Sequence, residues 1–284
     1  MTDVETDSNA DEVRTGIPAC LTIAGLDPSG GAGIIADLKT FSAFRCYGAA
    51  AITSVTFQNT QAVYGAEALS PESVKGQIDP ILDDFRIDAF KTGMLPNKGV
   101  IDVVADIISE RNLTNAVIDP VVRSTSGFDL IDDAALSALI DRLFPHAAIV
   151  TPNIPEAERI TGMKITDEDS VLRAAEKMSA MGARCVLIKG GHFPVEKDGV
   201  QYARDVLLIE SNPIVIEVEF VESRATHGTG CTLAAAIAAS LASGRSVEDS
   251  VRVAKAYVTA AIKSSPMLGK GHPAVNHLTD PFRN

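Results

Sequence analysis

Along the chain, short unbroken apolar runs alternate with longer stretches in which apolar residues recur every three to four positions. The runs at 20–24, 49–56, 87–92, 116–119, 147–151 and 185–189 predict strands, and the periodic stretches at 33–44, 71–85, 97–111, 132–144 and 170–181 predict helices. Strand and helix taking turns in this way predict a mainly parallel sheet with helices on both faces, joined by right-handed crossovers. One region breaks the alternation: β-rich runs at 205–210 and 214–220 flank Ser211-Asn212-Pro213 and predict an antiparallel edge hairpin. Two consecutive helices follow, at 230–243 and 246–263, joined at Gly244-Arg245. No repeat or linker divides this pattern. The expected architecture is a three-layer α/β/α single domain over residues 18–284.

Composition narrows the function. The 284 residues are 46% hydrophobic and 22% charged, which suits a globular protein. A formal net charge of −12 argues against nucleic acid as a partner, so any phosphate must be held by local donors. Residues 1–17 carry five acids against Arg14, the opposite of a targeting segment, and read as a disordered acidic tail. Cys20, Cys46, Cys185 and Cys231 are scattered, with no C-x-x-C pair, which favours a reducing cytoplasm. The apolar run from Gly228 to Gly244 is shorter than the roughly 20 residues that a bilayer requires, so no membrane span is expected.

Several motifs can carry chemistry. The first, Ala24-Gly25-Leu26-Asp27-Pro28-Ser29-Gly30-Gly31-Ala32-Gly33, leaves the first strand and enters a helix, where backbone can approach a ligand closely. It lacks the Gly-Lys-Ser/Thr of a Walker loop. It nearly fits the dinucleotide fingerprint, but no acid ends the second strand, which closes on Thr56-Phe57-Gln58-Asn59. A plain tight turn is the bland alternative. Asp37 follows one turn into the helix, on the side expected to face the loop's ligand. Gln58, at a strand's carboxyl end, offers both a donor and an acceptor to a heterocycle edge.

The second motif, Thr226-His227-Gly228-Thr229-Gly230-Cys231-Thr232, precedes a long apolar helix. Backbone N–H groups at such a helix start can cradle a transferring phosphoryl group, and the helix dipole there favours a Cys231 thiolate. In the third, Asn153 and Glu156 are explained by helix capping alone, whereas Asp119, ending a buried strand, is less easily dismissed. Asp119 and Glu156 at strand carboxyl ends could hold Mg²⁺ through waters. Lys189, at a buried strand end, is a phosphate candidate. Lys255 could be simply solvated, and Lys270 lies in a mobile Gly-rich stretch that could serve as a lid.

Taken together, these stretches closely resemble the hydroxymethylpyrimidine/phosphomethylpyrimidine kinase family of the ribokinase-like fold. The collinear carriers are AGLDPSGGAGIIADLKTF from Ala24, QNT at 58–60, KTGML at 91–95 and DPV at 119–121, followed by TPNIPEA at 151–157, IKGGH at 188–192, THGTGCT at 226–232 and GKG at 269–271. The resemblance implies an ATP- and Mg²⁺-dependent homodimeric kinase of thiamine biosynthesis. Gly25, Asp37, Gln58 and Met94 would surround the pyrimidine, and Gly228, Gly230 and Cys231 would form the anion hole, with Cys231 in the place of the base. Asp119, Asn153 and Glu156 would belong to the Mg²⁺ and phosphate network, while Lys189, Thr226 and Lys255 would contact the nucleotide. Two positions depart from the family pattern. Ile35 replaces a usual Gln, and Thr125 replaces a usual Lys before Ser126-Gly127, which points to a weaker second phosphorylation. The alternatives are a pyridoxal kinase, a non-catalytic pyrimidine-binding protein, and a cysteine hydrolase using Cys231 and His227.

Overall fold

The computed structural model describes residues 16–122, 130–190 and 195–282. All but two residues of the acidic tail, and the Thr125-Ser126-Gly127 departure, lie outside them. Among the described residues, ten strands form one sheet: β1 (Ala19–Leu26), β2 (Tyr47–Gln58), β3 (Val63–Ala68), β4 (Ala89–Thr92), β5 (Ala116–Ile118), β6 (Ala147–Val150), β7 (Cys185–Ile188), β8 (Val195–Lys197), β9 (Val200–Ile209) and β10 (Asn212–Glu219). Their order is β10-β9-β7-β6-β5-β4-β1-β2-β3, with β8 paired to β9. The six from β7 to β2 run parallel, and β3, β8, β9 and β10 pair antiparallel with their neighbours.

The expected edge hairpin is present, but its turn is Glu210-Ser211, both at positive φ (47° and 71°), with Asn212 and Pro213 already in β10. Two residues with φ > 0 give the strand twist that a two-residue hairpin needs, and Pro213 is tolerated because β10 is an edge. The β2–β3 edge adds a second antiparallel pair, which the sequence pattern did not indicate.

Helices α2 (Pro71–Asp84), α3 (Lys98–Glu110), α4 (Asp133–Ala138), α5 (Ile154–Thr161) and α6 (Glu168–Ala180) cover one face of the sheet. Helices α1 (Gly33–Ala43), α7 (Thr229–Ala242) and α8 (Val247–Lys263) cover the other. Successive strand residues point to opposite faces, so Leu21, Ile23, Phe90 and Ile118 enter the first core, and Cys20, Ala89 and Val117 the second.

By the same alternation, Thr22 in the middle of β1, Lys91 near the end of β4 and Asp119 just past β5 turn toward α1 and α7. Helix α7 packs on β1, β4 and β5, and the run from Ala234 to Ala239 is wholly buried. Small side chains let it lie close beneath the middle of the sheet, and its N-terminus emerges at the sheet's carboxyl edge. Among the described residues, no helix is long and apolar enough to cross a membrane.

Candidate active site at the carboxyl edge of the sheet

The first glycine loop is organised by a residue that motif reading passed over. Asp27, 1% exposed, accepts hydrogen bonds from Ser29 N–H (2.8 Å), Ser29 Oγ (2.8 Å), Gly31 N–H (3.1 Å) and Ala32 N–H (2.9 Å). Its Oδ2 also takes a fifth bond, from His227 Nε2 at 2.8 Å. Burial alone would raise the carboxyl pKa, but the His227 and Ser29 hydrogen bonds hold it below the ordinary value. Gly33 (φ 54°) enters α1 against the Gly25 carbonyl, where any side chain would collide. Beside Gly25 stand Ser54 and Met94: a Cβ on Gly25 would lie 2.9 Å from Ser54 Oγ and 3.5 Å from Met94 Sδ. Gln58 lies on the same rim, its amide donating to Thr56 Oγ1 (2.7 Å), which donates in turn to Leu26 O (2.9 Å).

The second glycine segment meets the first directly. Gly228 caps α7 at φ 78°, its α-carbon pressed on the Gly31 carbonyl. The first N–H groups of a helix have no acceptor within it, so α7 presents them to the cleft. The expectation of a Cys231 thiolate needs correction. Burial, with Asp37 and Asp119 nearby, pushes the thiol up to about 11 despite the Lys91 charge, so at neutral pH Cys231 is a thiol.

Beneath Cys231 lies an ion pair with no exposure. Lys91 Nζ is 3.0 and 3.2 Å from the Asp37 carboxylate oxygens, and Thr22 Oγ1 donates to Oδ2 at 2.6 Å. Burial disfavours the ammonium, but Asp37, Cys231 and Asp119 outweigh it and hold the Lys91 pKa above its ordinary value. Asp37 was expected to read the ligand's polar edge. Its carboxylate is instead buried, turned inward and engaged by Lys91 and Thr22, because α1 carries it over the sheet rather than into the cleft.

On the other side of the α7 terminus, Asp119 accepts from Thr151 Oγ1 (3.2 Å) and from Lys189 Nζ (3.2 Å), with Glu156 Oε2 3.9 Å from the same ammonium. A Cβ on Gly230 would sit 3.3 Å from Lys189 Nζ, so the helix terminus and this lysine share one space. Burial works against the Lys189 charge, but the Asp119 and Glu156 carboxylates raise its pKa. Burial also raises the Glu156 carboxyl to about 7, against the pull of Lys189. Asn153 and Glu156 cap α5 reciprocally, each bond 2.8 Å. Among the described residues, no group of three His, Cys, Asp or Glu side chains is placed to cage a metal ion.

Lys255, a phosphate candidate that could also have been simply solvated, binds the fully buried Asp205 at 2.5 Å; Asp205 in turn accepts the Gly190 N–H at 2.9 Å. Thr226 Oγ1 stands 3.5 Å from His272 Nδ1. The stretch from Gly269 to His272 does not hang free. Gly271 N–H donates to Thr60 Oγ1 (3.3 Å) and His272 N–H to Thr60 O (2.7 Å), with Lys270 exposed just before them.

Asp27, Lys91, Asp205 and His227 thus join the expected residues. A charge inside an apolar strand, the signal that singled out Lys189, was equally available at Phe90-Lys91-Thr92. The assembled edge offers an anion cradle with lysine on one side and a small pocket of glycine, amide and thioether on the other. That is the layout of group transfer between two bound molecules.

Known proteins resemble this chain in sequence and in fold. A hydroxymethylpyrimidine/phosphomethylpyrimidine kinase of Bacillus subtilis is 42% identical over 258 residues, 91% of this chain and 94% of its own. A thiamine biosynthesis bifunctional protein of Geobacter sulfurreducens is 44% identical over 264 residues, and the chain spans 52% of its length. Among solved structures, an ADP complex of Bacillus subtilis pyridoxal kinase superposes with a TM-score of 0.83 at 37% identity, covering 92% of this chain and 97% of that one. Residues 27–276 match the family described as phosphomethylpyrimidine kinase, and the chain belongs to that family.

Proposed function

We propose that the protein transfers the γ-phosphoryl group of ATP to the hydroxymethyl oxygen of 4-amino-5-hydroxymethyl-2-methylpyrimidine, and then to the resulting monophosphate, for thiamine diphosphate biosynthesis. The observation that carries this reading is the N-terminus of α7, with Lys189 3.3 Å from where a Gly230 side chain would begin and the Gly25–Met94–Gln58 pocket on its other flank.

In this reading Lys189, Lys255 and Thr226 hold the nucleotide. The Gly228 and Gly230 backbone meets the charge developing on the transferring group, and Cys231 orients the acceptor hydroxyl. Phosphoryl transfer depends mostly on alignment and charge neutralisation, so a neutral thiol suffices to orient the acceptor hydroxyl by hydrogen bonding, while the hydroxyl's proton passes late to an oxygen of the transferred phosphoryl group. The carboxylates of Asp119 and Glu156 fit a Mg²⁺ ion brought in on nucleotide phosphates and held through waters, not one caged by protein. When bound, that ion supplies charge neutralisation at the phosphates. The exposed apolar residues Phe57, Val63 and Tyr64 on the β2–β3 edge support a homodimer, and four free cysteines support a reducing cytoplasm.

A second reading, pyridoxal phosphorylation, is favoured by the likeness to the pyridoxal kinase fold. ADP release measured side by side with the pyrimidine alcohol, its monophosphate and pyridoxal separates the two. Fastest turnover of the alcohol is expected. Turnover of pyridoxal alone would replace the first reading with the second. A slow monophosphate step is the outcome that Thr125 points to.

A further inference from the structure

The two glycine segments of the site are 200 residues apart in sequence, yet they touch through bare backbone. Gly31 has no room for a side chain beside the His227 ring, and Gly228 has none beside the Gly31 carbonyl. Such a contact is close but has no side chains to interlock, so it has little of its own to resist sliding. Among the described residues, a side-chain hydrogen bond crosses it: His227 Nε2–H to Asp27 Oδ2, 2.8 Å, with side chains 15% and 2% exposed. The carboxylate cannot donate, so this nitrogen carries the proton. The other four bonds to Asp27 come from the loop itself, at Ser29, Gly31 and Ala32. One buried group therefore both shapes the first loop and fastens it to the residue preceding the α7 cap.

We propose that Asp27 and His227 are positioning residues that clamp the acceptor loop to the phosphoryl cradle and so fix the distance between the two reacting groups. The role rests on the kinase reading above. Neither residue needs to touch substrate. The clamp acts through Gly33, where the loop enters α1 against the Gly25 carbonyl, and through Gly228, whose backbone begins the cradle. A misplacement of reacting groups by about 1 Å is enough to lower turnover by roughly 100-fold, so a small slip between the loops is expected to appear in kcat rather than in binding.

The test is a double-mutant cycle on the full chain, with hydrogen exchange alongside. His227→Ala removes only the crossing bond and leaves the loop's four internal bonds in place. Its kcat is expected to fall about 10- to 100-fold, with both KM values within about threefold of the parent. Asp27→Asn, which also costs the loop some of its internal bonds, is expected to fall at least as far, and the double variant no further than Asp27→Asn, because His227→Ala then has no tie left to remove. In His227→Ala, amide exchange is expected to accelerate at Gly31 and Ala32 while α8 stays protected. An unchanged kcat, independent multiplicative losses in the double variant, or unchanged exchange at Gly31 and Ala32 would overturn the clamp. The exchange measurement requires no substrate. Failure of the kinase reading therefore shows separately, as an inactive parent protein, and the exchange result still decides the clamp.

Discussion

At Cys231 two influences oppose each other. The start of α7 favours a negative sulfur, but burial and the carboxylates of Asp37 and Asp119 disfavour it more, and the thiol is raised to about 11. The position of this cysteine was legible from its glycine-rich flanks. Its protonation was not, because the deciding neighbours come from α1 and β5. Cys231→Ala is expected to lower kcat about 10- to 100-fold and to leave ADP affinity by calorimetry within about twofold, since in the proposed reading the group meets the acceptor and not the nucleotide. Parental turnover in that variant would remove Cys231 from the mechanism. Lys91 illustrates the same limit. Breaking a fully buried ion pair from one side leaves a lone charge in the core, so Lys91→Met should cost about 3–5 kcal/mol in urea unfolding. Pairing it with Asp37→Leu should restore most of that loss. No restoration would mean that packing, and not the stranded carboxylate, sets the penalty.

Among the elements, the parallel strands and their covering helices were readable because strands buried on both faces are continuously apolar. Strands β3 and β8 were not. The first is Val-Tyr-Gly-Ala-Glu-Ala, mostly exposed, and the second has three residues, so neither shows a buried face from which a period could be read. The strap at 269–272 was expected to be a mobile lid, since two glycines read as flexibility. Both instead permit close approach: a Cβ on either would strike Thr60. Gly271→Ala should therefore lift the strap from Thr60. The expected outcome is an acceptor KM raised about 3- to 10-fold with kcat nearly unchanged, and a stability loss of about 1–3 kcal/mol. An unchanged acceptor KM would detach the strap from acceptor binding.

For the whole molecule, stability against pH is shaped by two buried groups of opposite sense. Burial raises Glu156 from 4.5 to about 7, so between those values the folded protein holds a proton that the unfolded chain has released, and stability falls as pH rises. Burial lowers His277 from 6.5 to about 4, so the unfolded chain binds the extra proton there, and stability rises with pH. Over the shared window the slopes oppose. Removing one should expose the other: relative to the parent, Glu156→Gln should gain about 3 kcal/mol between pH 4 and pH 8. Parallel curves for the two proteins would show that Glu156 titrates normally.

The three-layer arrangement was visible in the alternation of patterns, whereas the site needed the fold to bring Asp27 to His227 and Lys91 to Cys231. The helix that begins in the cradle lies against the sheet through five wholly buried alanines, Ala234, Ala235, Ala236, Ala238 and Ala239, with the equally buried Ile237 among them. Close-packed along that stretch, α7 has little freedom to shift. In the proposed reading the phosphoryl end of the cleft is therefore the stiff part of the machine. The acceptor end takes Gly25 and Gln58 from strand ends and adds a loop and a strap, so a change there would alter the ring accepted without redesigning how it is phosphorylated.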